Sequence, residues 1–186
     1  MLIGLDLDGV IIDHTANKIA LAKKLGVTLS PSEAASDVIG SYIGEAGKKL
    51  MQHTLYDDPA IALTPGLIAG AKEGLDILRA RGLEYVLISR RKSAELPIAL
   101  LRWHELWPRY FDERNAFFVD GTAGKHAKAS ALGVGVYLDD QASVLNELTS
   151  VRNKFLFDPF RAYNNFDGDY KKVYTWLEFI ELISKL

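Results

Sequence analysis

The chain has 186 residues and a formal net charge of −2 at pH 7. This length suits one globular domain with a small insertion, and the balanced charge gives no electrostatic footprint for a nucleic acid polymer or a membrane surface. The absence of cysteine excludes disulfides, thiolate chemistry and the common zinc sites. The N-terminal apolar run is interrupted by aspartates and resembles neither a signal peptide nor a membrane span, so we expect a cytoplasmic protein.

The first predicted element is a buried strand, an apolar run that begins at Leu2 and ends in two carboxylates, Asp6 and Asp8, followed by Gly9. The spacing of two places both carboxylates on one side of a strand, and open α/β sheets bind ligands at such strand ends. Glycine allows the backbone to turn immediately afterwards. Two adjacent carboxylates repel each other and oxygen ligands suit Mg²⁺, so the pattern predicts a magnesium site. A solvated turn is the alternative for this motif alone.

The next fifty residues have helical patterns. Apolar spacing predicts a helix from Ala16 to Leu25 that stops at Gly26, and Ser30-Pro31 predicts the start of a second helical region with a break near 40–47. Because this segment is too long for a plain loop, we interpret residues 15–64 as a small helical cap. It is inserted into a core formed by residues 1–14 and 65–186.

Helices and strands alternate through the rest of the chain. Alternation of this kind implies right-handed βαβ units and therefore an α/β fold, a Rossmann-like parallel sheet with helices on both faces. The predicted strands are Leu83–Ile88, Phe117–Val119, Val134–Leu138 and Lys154–Phe157, and the predicted helices begin near Thr64-Pro65-Gly66, Ser93, Ala123, Ala142 and Thr175.

Polar residues follow the predicted strands at one edge of the sheet. Ser89 and Arg90 end the second strand, Asp139 and Asp140 end the fourth, and Lys125 lies in the helix before it. Free N–H groups and helix dipoles favour a phosphate at that edge. The pattern therefore predicts chemistry on a phosphorylated molecule.

The residue types suggest a role for each position. Asp6 is the better-fixed nucleophile, which attacks phosphorus to form an aspartyl-phosphate, and Asp8 is the general acid and base. Ser89 and Lys125 neutralise charge on the phosphoryl oxygens. The predicted substrate-binding residues are Gly9, Ser89, Arg90 and Lys125, and the predicted Mg²⁺ ligands are Asp6, Asp8 through its carbonyl, Asp139 and Asp140.

The four motifs in this order resemble the haloacid dehalogenase superfamily, and the resemblance covers almost the whole chain. It implies a Rossmann-like core, a flap after the first strand and a cap that selects the substrate. Family members that act as dehalogenases lack the second aspartate, so Asp8 favours phosphoryl transfer. The matching positions are Asp6 as nucleophile, Asp8 as acid/base, Ser89 as second motif, Lys125 as third and Asp139/Asp140 as fourth.

Two subfamily resemblances remain open. The run from Asp6 to Asp13 also resembles β-phosphoglucomutases, although the insertion here is shorter than their caps. The C-terminal pattern of Leu156–Pro159, Asn164 and Lys172–Glu178 resembles deoxyribonucleotidase-like members. We therefore expect a small phosphomonoester as substrate, a nucleotide or deoxynucleotide among the candidates, for a protein that is a monomer or homodimer.

Several alternatives compete with this interpretation. Lys128 is an alternative to Lys125, and the sequence does not decide whether Asp139 or Asp140 contacts the ion. A P-loop at Gly121–Lys125 fails because its glycines are too close together and His126 replaces the required Ser or Thr. A signalling receiver domain would have its lysine last, and a phosphate-binding protein without turnover remains open. We assign His14 to the flap without a catalytic role.

Overall fold

The computed structural model describes residues 1–164 and 168–186, and within them the main feature is a six-stranded parallel sheet. Strand β1 (Leu2–Leu5) lies between β4 (Tyr85–Ser89) and β6 (Val134–Asp139), so the chain order reverses at β1 and opens a crevice at the carboxyl ends of these strands. From edge to edge the strands are β5 (Ala116–Phe118), β4 (Tyr85–Ser89), β1 (Leu2–Leu5), β6 (Val134–Asp139), β7 (Asn153–Phe157) and β8 (Lys171–Val173).

Helices cover both faces of this sheet, as predicted. Alternate strand residues point to opposite faces, so Leu87 and Phe155 belong to one apolar core whereas Val86 and Leu156 belong to the other. None of the described helices has the length and apolar character needed to cross a membrane. The helices are α1 (Thr15–Lys24), α2 (Gly40–Asp57), α3 (Pro59–Ala62), α4 (Ala71–Ala80), α5 (Glu95–Trp103), α6 (Gly121–Leu132), α7 (Ala142–Glu147) and α8 (Trp176–Ile183).

The segment that carries α1 to α3 leaves and rejoins the core at two paired strands. Strand β2 (Ile12–Asp13) pairs in antiparallel register with β3 (Gly66–Leu67), so the chain departs and returns side by side. The segment has an apolar cluster of its own, which includes Ala22, Met51 and Leu55. This path suits a helical insertion, and the boundaries of a cap at residues 15 and 64 stay a prediction.

Two predicted helix starts are wrong. Thr64-Pro65-Gly66 leads into β3 instead, because Leu67 pairs with Ile12, and α4 begins only after Gly70 at a φ of 80°. Ser30-Pro31 leads into a series of turns over residues 31–39, and α2 begins at Gly40. There the Glu33 carboxylate accepts from both the N–H and the hydroxyl of Ser30, and no helix follows for the serine to cap.

The residues of the C-terminal pattern have structural roles. The buried Asp158 carboxylate accepts hydrogen bonds from the backbone N–H groups of Ala162 and Tyr163, at 2.7 and 3.1 Å. The buried Trp176 indole donates to the carbonyl of Val10 at 2.8 Å. These contacts shape a loop and fix the turn after β1, so Asp158 and Trp176 each have a structural role.

Gly74 tests the packing of α8 against α4. Alanine is about 1 kcal/mol better than glycine inside a helix, so propensity alone predicts that Gly74→Ala stabilises the protein. A Cβ at this position would lie 2.2 Å from Cε3 of Trp176, which must therefore shift. We expect Gly74→Ala to lower the free energy of unfolding by about 1–3 kcal/mol in urea titrations. The exposed neighbour variant Glu73→Ala should change it by less than about 1 kcal/mol, and a stabilised Gly74→Ala would contradict this packing.

Candidate active site

The predicted site residues meet at the crevice beside β1. Asp6 follows β1, Ser89 ends β4 and Asp139 ends β6, and these three strands are neighbours. Parallel strands end at the same edge of a sheet, which explains why residues far apart in sequence come together here. The sheet-edge position of the site is therefore a direct consequence of the strand order.

Lys125 joins two of the predicted carboxylates. Its Nζ donates to Oδ1 of Asp6 at 2.7 Å and to Oδ2 of Asp139 at 2.8 Å, and all three side chains are buried. Burial raises the pKa of Asp6 to about 6, against the lowering effect of Lys125. Burial lowers the pKa of Lys125, but the charges of Asp139 and Asp6 outweigh it and hold the pKa above its ordinary value. Lys125 therefore stays an ammonium between the two acids.

Lys128, the alternative lysine, lies elsewhere. Its Nζ sits 4.5 Å from the centre of the Phe117 ring, on the half-buried side of α6. Of the two lysines, Lys125 is the one that the fold brings to Asp6.

Asp140 completes an acidic cluster with Asp6 and Asp139. One carboxylate oxygen from each residue lies within 4.8 Å of the other two, a spacing that could hold a metal ion. Glycine at position 9 allows the turn after β1 to lie close to Asp140, because a Cβ at Gly9 would lie 2.3 Å from Oδ2 of Asp140. Burial raises the pKa of Asp140 to about 8. A cation at this position would relieve the repulsion that keeps protons on the cluster.

The oxygens of Asp139 and Asp140 differ in their hydrogen bonds. Asp139 accepts from Lys125 at one oxygen and from the backbone N–H of Gln141 at the other. Asp140 accepts from the Ser36 hydroxyl at Oδ2, whereas its buried Oδ1 has no hydrogen-bond partner among the described residues. This orphan acceptor makes Asp140 the better candidate for a direct metal ligand, and Asp139 the residue that orients Lys125.

Asp8 lies in a different environment from Asp6. The Arg91 guanidinium donates to both of its oxygens at 2.8 Å, and His14 Nε2 lies 2.7 Å from Oδ1. Burial raises the pKa of Asp8, but the charge and hydrogen bonds of Arg91 and His14 outweigh it and hold the pKa well below its ordinary value. The Asp8 carboxylate thus lies outside the acidic cluster, and the predicted role of its carbonyl stays a prediction.

Ser89 and Arg90 have the donors that a phosphate needs. The Ser89 hydroxyl is buried and has no partner in the described part of the chain. The half-buried side chain of Arg90 donates one guanidinium N–H to the Thr122 hydroxyl at 3.3 Å. A buried hydroxyl without a partner is costly, so a ligand oxygen at this point would be stabilising.

An open cavity of about 390 Å³ gives access to Asp6, Asp8 and Arg90. This volume lies within the range of small-molecule sites. Its wall combines the sheet edge with side chains from α2, so the inserted segment faces the site directly. The lining includes Asp6, Asp8, Ser36, Gln52, Tyr56, Arg90, Arg91, Lys92, Asp120 and Gln141.

Sequence reasoning missed the residues that surround Asp8 and Asp140. His14, which the sequence analysis assigns only to the flap, contacts Asp8, and so does Arg91, whereas the predicted substrate-binding residue is its neighbour Arg90. The Arg91 guanidinium lies 3.8 Å from the Tyr56 ring centre, which ties α2 to the site. The aromatic ring and the two arginines were visible in the sequence, but nothing local indicated which of them would meet.

Known structures share this architecture. A HAD family hydrolase from Deinococcus radiodurans with bound phosphate and sodium has a TM-score of 0.66 and 15% identity, covering 99% of this chain and 95% of its own. The chain has the fold of the haloacid dehalogenase (HAD) hydrolases. No family model matches the sequence, and no curated protein does.

Two further structures extend the comparison within the HAD fold. A candidate β-phosphoglucomutase from Thermotoga maritima has a TM-score of 0.58 and 14% identity, covering 100% of this chain and 99% of its own. A candidate phosphoglycolate phosphatase from Lactobacillus plantarum has a TM-score of 0.62 and 13% identity, covering 97% of this chain and 98% of its own. Similarity at this level of identity establishes the HAD fold, and the chemistry must be argued from the site.

Lys125 and Lys128 can be distinguished by stability. Lys125→Met would leave Asp6 and Asp139 buried without their counter-charge, which should lower the free energy of unfolding by about 3–5 kcal/mol in chelator. Lys128→Met loses only a ring contact, worth less than about 1 kcal/mol. Urea titrations of both variants measure the difference, and equal losses would contradict the placement of Lys125.

The raised pKa of Asp140 predicts a pH dependence of stability without metal. The pKa of Asp140 is about 8 in the folded protein and near 4 in the unfolded chain. The protonated carboxyl group therefore favours the folded state at low pH, and this contribution to stability is lost as the pH rises through 8. Melting temperatures of the chelated protein should therefore fall between pH 5.5 and 8.5 more steeply than those of Asp140→Asn, which cannot titrate. Parallel melting curves for the two proteins across this range would refute the raised pKa.

Proposed function

We propose that this chain is a magnesium-dependent phosphohydrolase that cleaves a small phosphomonoester through an aspartyl-phosphate on Asp6. The observation that carries the proposal is the arrangement of Asp6: Lys125 holds its Oδ1, no described residue donates to its Oδ2, and the residue faces the open cavity. The adjacent orphan groups, Ser89 Oγ and Asp140 Oδ1, suit a phosphoryl oxygen and a cation respectively.

The first step transfers the phosphoryl group to the protein. Oδ2 of Asp6 attacks phosphorus, the bond from phosphorus to the ester oxygen breaks, and that oxygen receives a proton from Asp8. Lys125, Ser89 and Arg90 would hold the phosphoryl oxygens and neutralise the charge on them. When bound among Asp6, Asp139 and Asp140, Mg²⁺ would neutralise negative charge and so allow the carboxylate and phosphate to approach each other.

The second step releases phosphate. A water molecule attacks phosphorus, the bond to Asp6 breaks, and Asp8 accepts the proton of the water. The low pKa of Asp8 suits this second role, because the carboxylate is ionised. To donate a proton in the first step, Asp8 must first gain one, which requires Arg91 to release at least one of its oxygens.

The leaving group is a finer question. The deoxyribonucleotidase-like pattern favours a nucleotide, whereas the T. maritima structure keeps a sugar-phosphate mutase as the second candidate. A mutase returns the phosphoryl group to a sugar hydroxyl, so it would interconvert sugar phosphates without net phosphate release. A protein that only binds phosphate would do neither.

Phosphate release from a panel of phosphomonoesters tests the proposal. The panel contains deoxynucleotides, sugar phosphates and 4-nitrophenyl phosphate, each assayed with Mg²⁺ and with chelator. We expect release that depends on Mg²⁺ and falls about 10³-fold or more in Asp6→Asn, which keeps the shape but not the nucleophile. Asp120→Asn, on the exposed cavity wall, is the matched control and should retain activity. Absence of release from every ester would overturn the proposal.

A further inference from the structure

The turns at residues 31–39, which we call the docking segment, contact the chain immediately after β6. The Ser36 hydroxyl donates to Oδ2 of Asp140 at 3.2 Å. The Asp37 carboxylate accepts from the backbone N–H of Ser143 at 3.0 Å and from its hydroxyl at 2.6 Å. The inserted segment therefore touches both the acidic cluster and the first turn of α7.

Lys18 determines which way the Ser36 hydroxyl points. Its Nζ donates to Oγ of Ser36 at 2.9 Å, so a lone pair of that oxygen is already occupied. A serine hydroxyl has one proton to donate, and here the proton is directed to Asp140. Lys18 therefore donates to Ser36, and Ser36 donates to Asp140.

This chain of hydrogen bonds fixes the orientation of the Asp140 carboxylate. Oδ2 is held by Ser36 and lies against Gly9, where no side chain could fit. Since the carboxylate is planar, holding Oδ2 also sets the direction of Oδ1, the buried oxygen that lacks a partner among the described residues. Without Ser36, the carboxylate could rotate and move Oδ1 away from Asp6 and Asp139.

We propose that Ser36 is a positioning residue of the cation site, and that it makes divalent-ion binding depend on the docking segment. The inference rests on the ion site of the proposed function and assigns to the inserted segment a role in that site. Hydrogen bonds to metal-ligating side chains typically contribute 10–100-fold to ion affinity. Coupling is reciprocal, so a bound ion must in turn stabilise the docked segment.

Calorimetric titration of the chelator-treated protein with Mg²⁺ tests the first half of the proposal. We expect Ser36→Ala to raise the Kd by about 10–100-fold, and Ser36→Thr, which keeps the hydroxyl, to stay within about 3-fold of the original protein. Thr54→Val is the matched control, because its hydroxyl donates to the carbonyl of Leu50 within α2, outside the docking segment, and its Kd should not change. The Asp37–Ser143 contact remains in Ser36→Ala, so the segment keeps a second attachment.

Hydrogen exchange tests the second half. Saturating Mg²⁺ should slow amide exchange in residues 32–39 of the original protein and of Ser36→Thr, and slow it far less in Ser36→Ala. A Kd for Ser36→Ala within 3-fold of the original, or equal slowing in both proteins, would overturn the inference and leave the ion site standing. If the original protein binds no Mg²⁺ at millimolar concentrations, the proposed ion site fails and the inference fails with it.

Discussion

The buried ammonium of Lys125 is the interaction on which the rest of the site depends. It is the group that allows Asp6 and Asp139 to be buried side by side at the carboxyl ends of β1 and β6. Two carboxylate oxygens within 4.8 Å of each other repel by roughly 3 kcal/mol or more at an effective dielectric constant near 20. Burial is the main cause of the raised pKa values of Asp6 and Asp140, and the charge of Asp139 raises both further. A cation among these carboxylates would favour their ionised forms.

The position of Asp6, Ser89 and Asp139 at one sheet edge could be predicted because it follows from sheet topology. Once Leu2–Leu5, Tyr85–Ser89 and Val134–Asp139 are recognised as neighbouring parallel strands, the residues after them must share one edge. That inference needs only buried apolar runs and the rule that parallel strands end together. These patterns predict the parallel α/β sheet and the common edge of Asp6, Ser89 and Asp139, whereas the HAD-like fold and the choice of Lys125 rest on the resemblance of the four motifs, with Lys128 as the alternative.

Local signals failed where a distant partner decides the structure. Pro65-Gly66 has the appearance of a helix start, but pairing of Leu67 with Ile12 makes this stretch a strand. The same limit applies to the site, because Arg91 meets Asp8 across 83 positions and Ser36 meets Asp140 across 104. No pattern of spacing within the sequence carries such contacts. They depend on how the inserted helices lie against the sheet.

Asp6 and Asp8, two residues apart, have opposite protonation tendencies in the ion-free chain. Burial raises the pKa of Asp6 to about 6, whereas Arg91 and His14 lower that of Asp8. The proposed reaction needs the reverse, an ionised Asp6 to attack and a protonated Asp8 to donate. A divalent cation in the acidic cluster would favour the ionised form of Asp6, and release of Asp8 by Arg91 would let it take up a proton. Because Arg91 packs on Tyr56 of α2, and Ser36 contacts Asp140, both changes involve the inserted segment. In the proposed mechanism the insertion therefore does more than select the substrate, since its position bears on the charge state of both catalytic carboxylates.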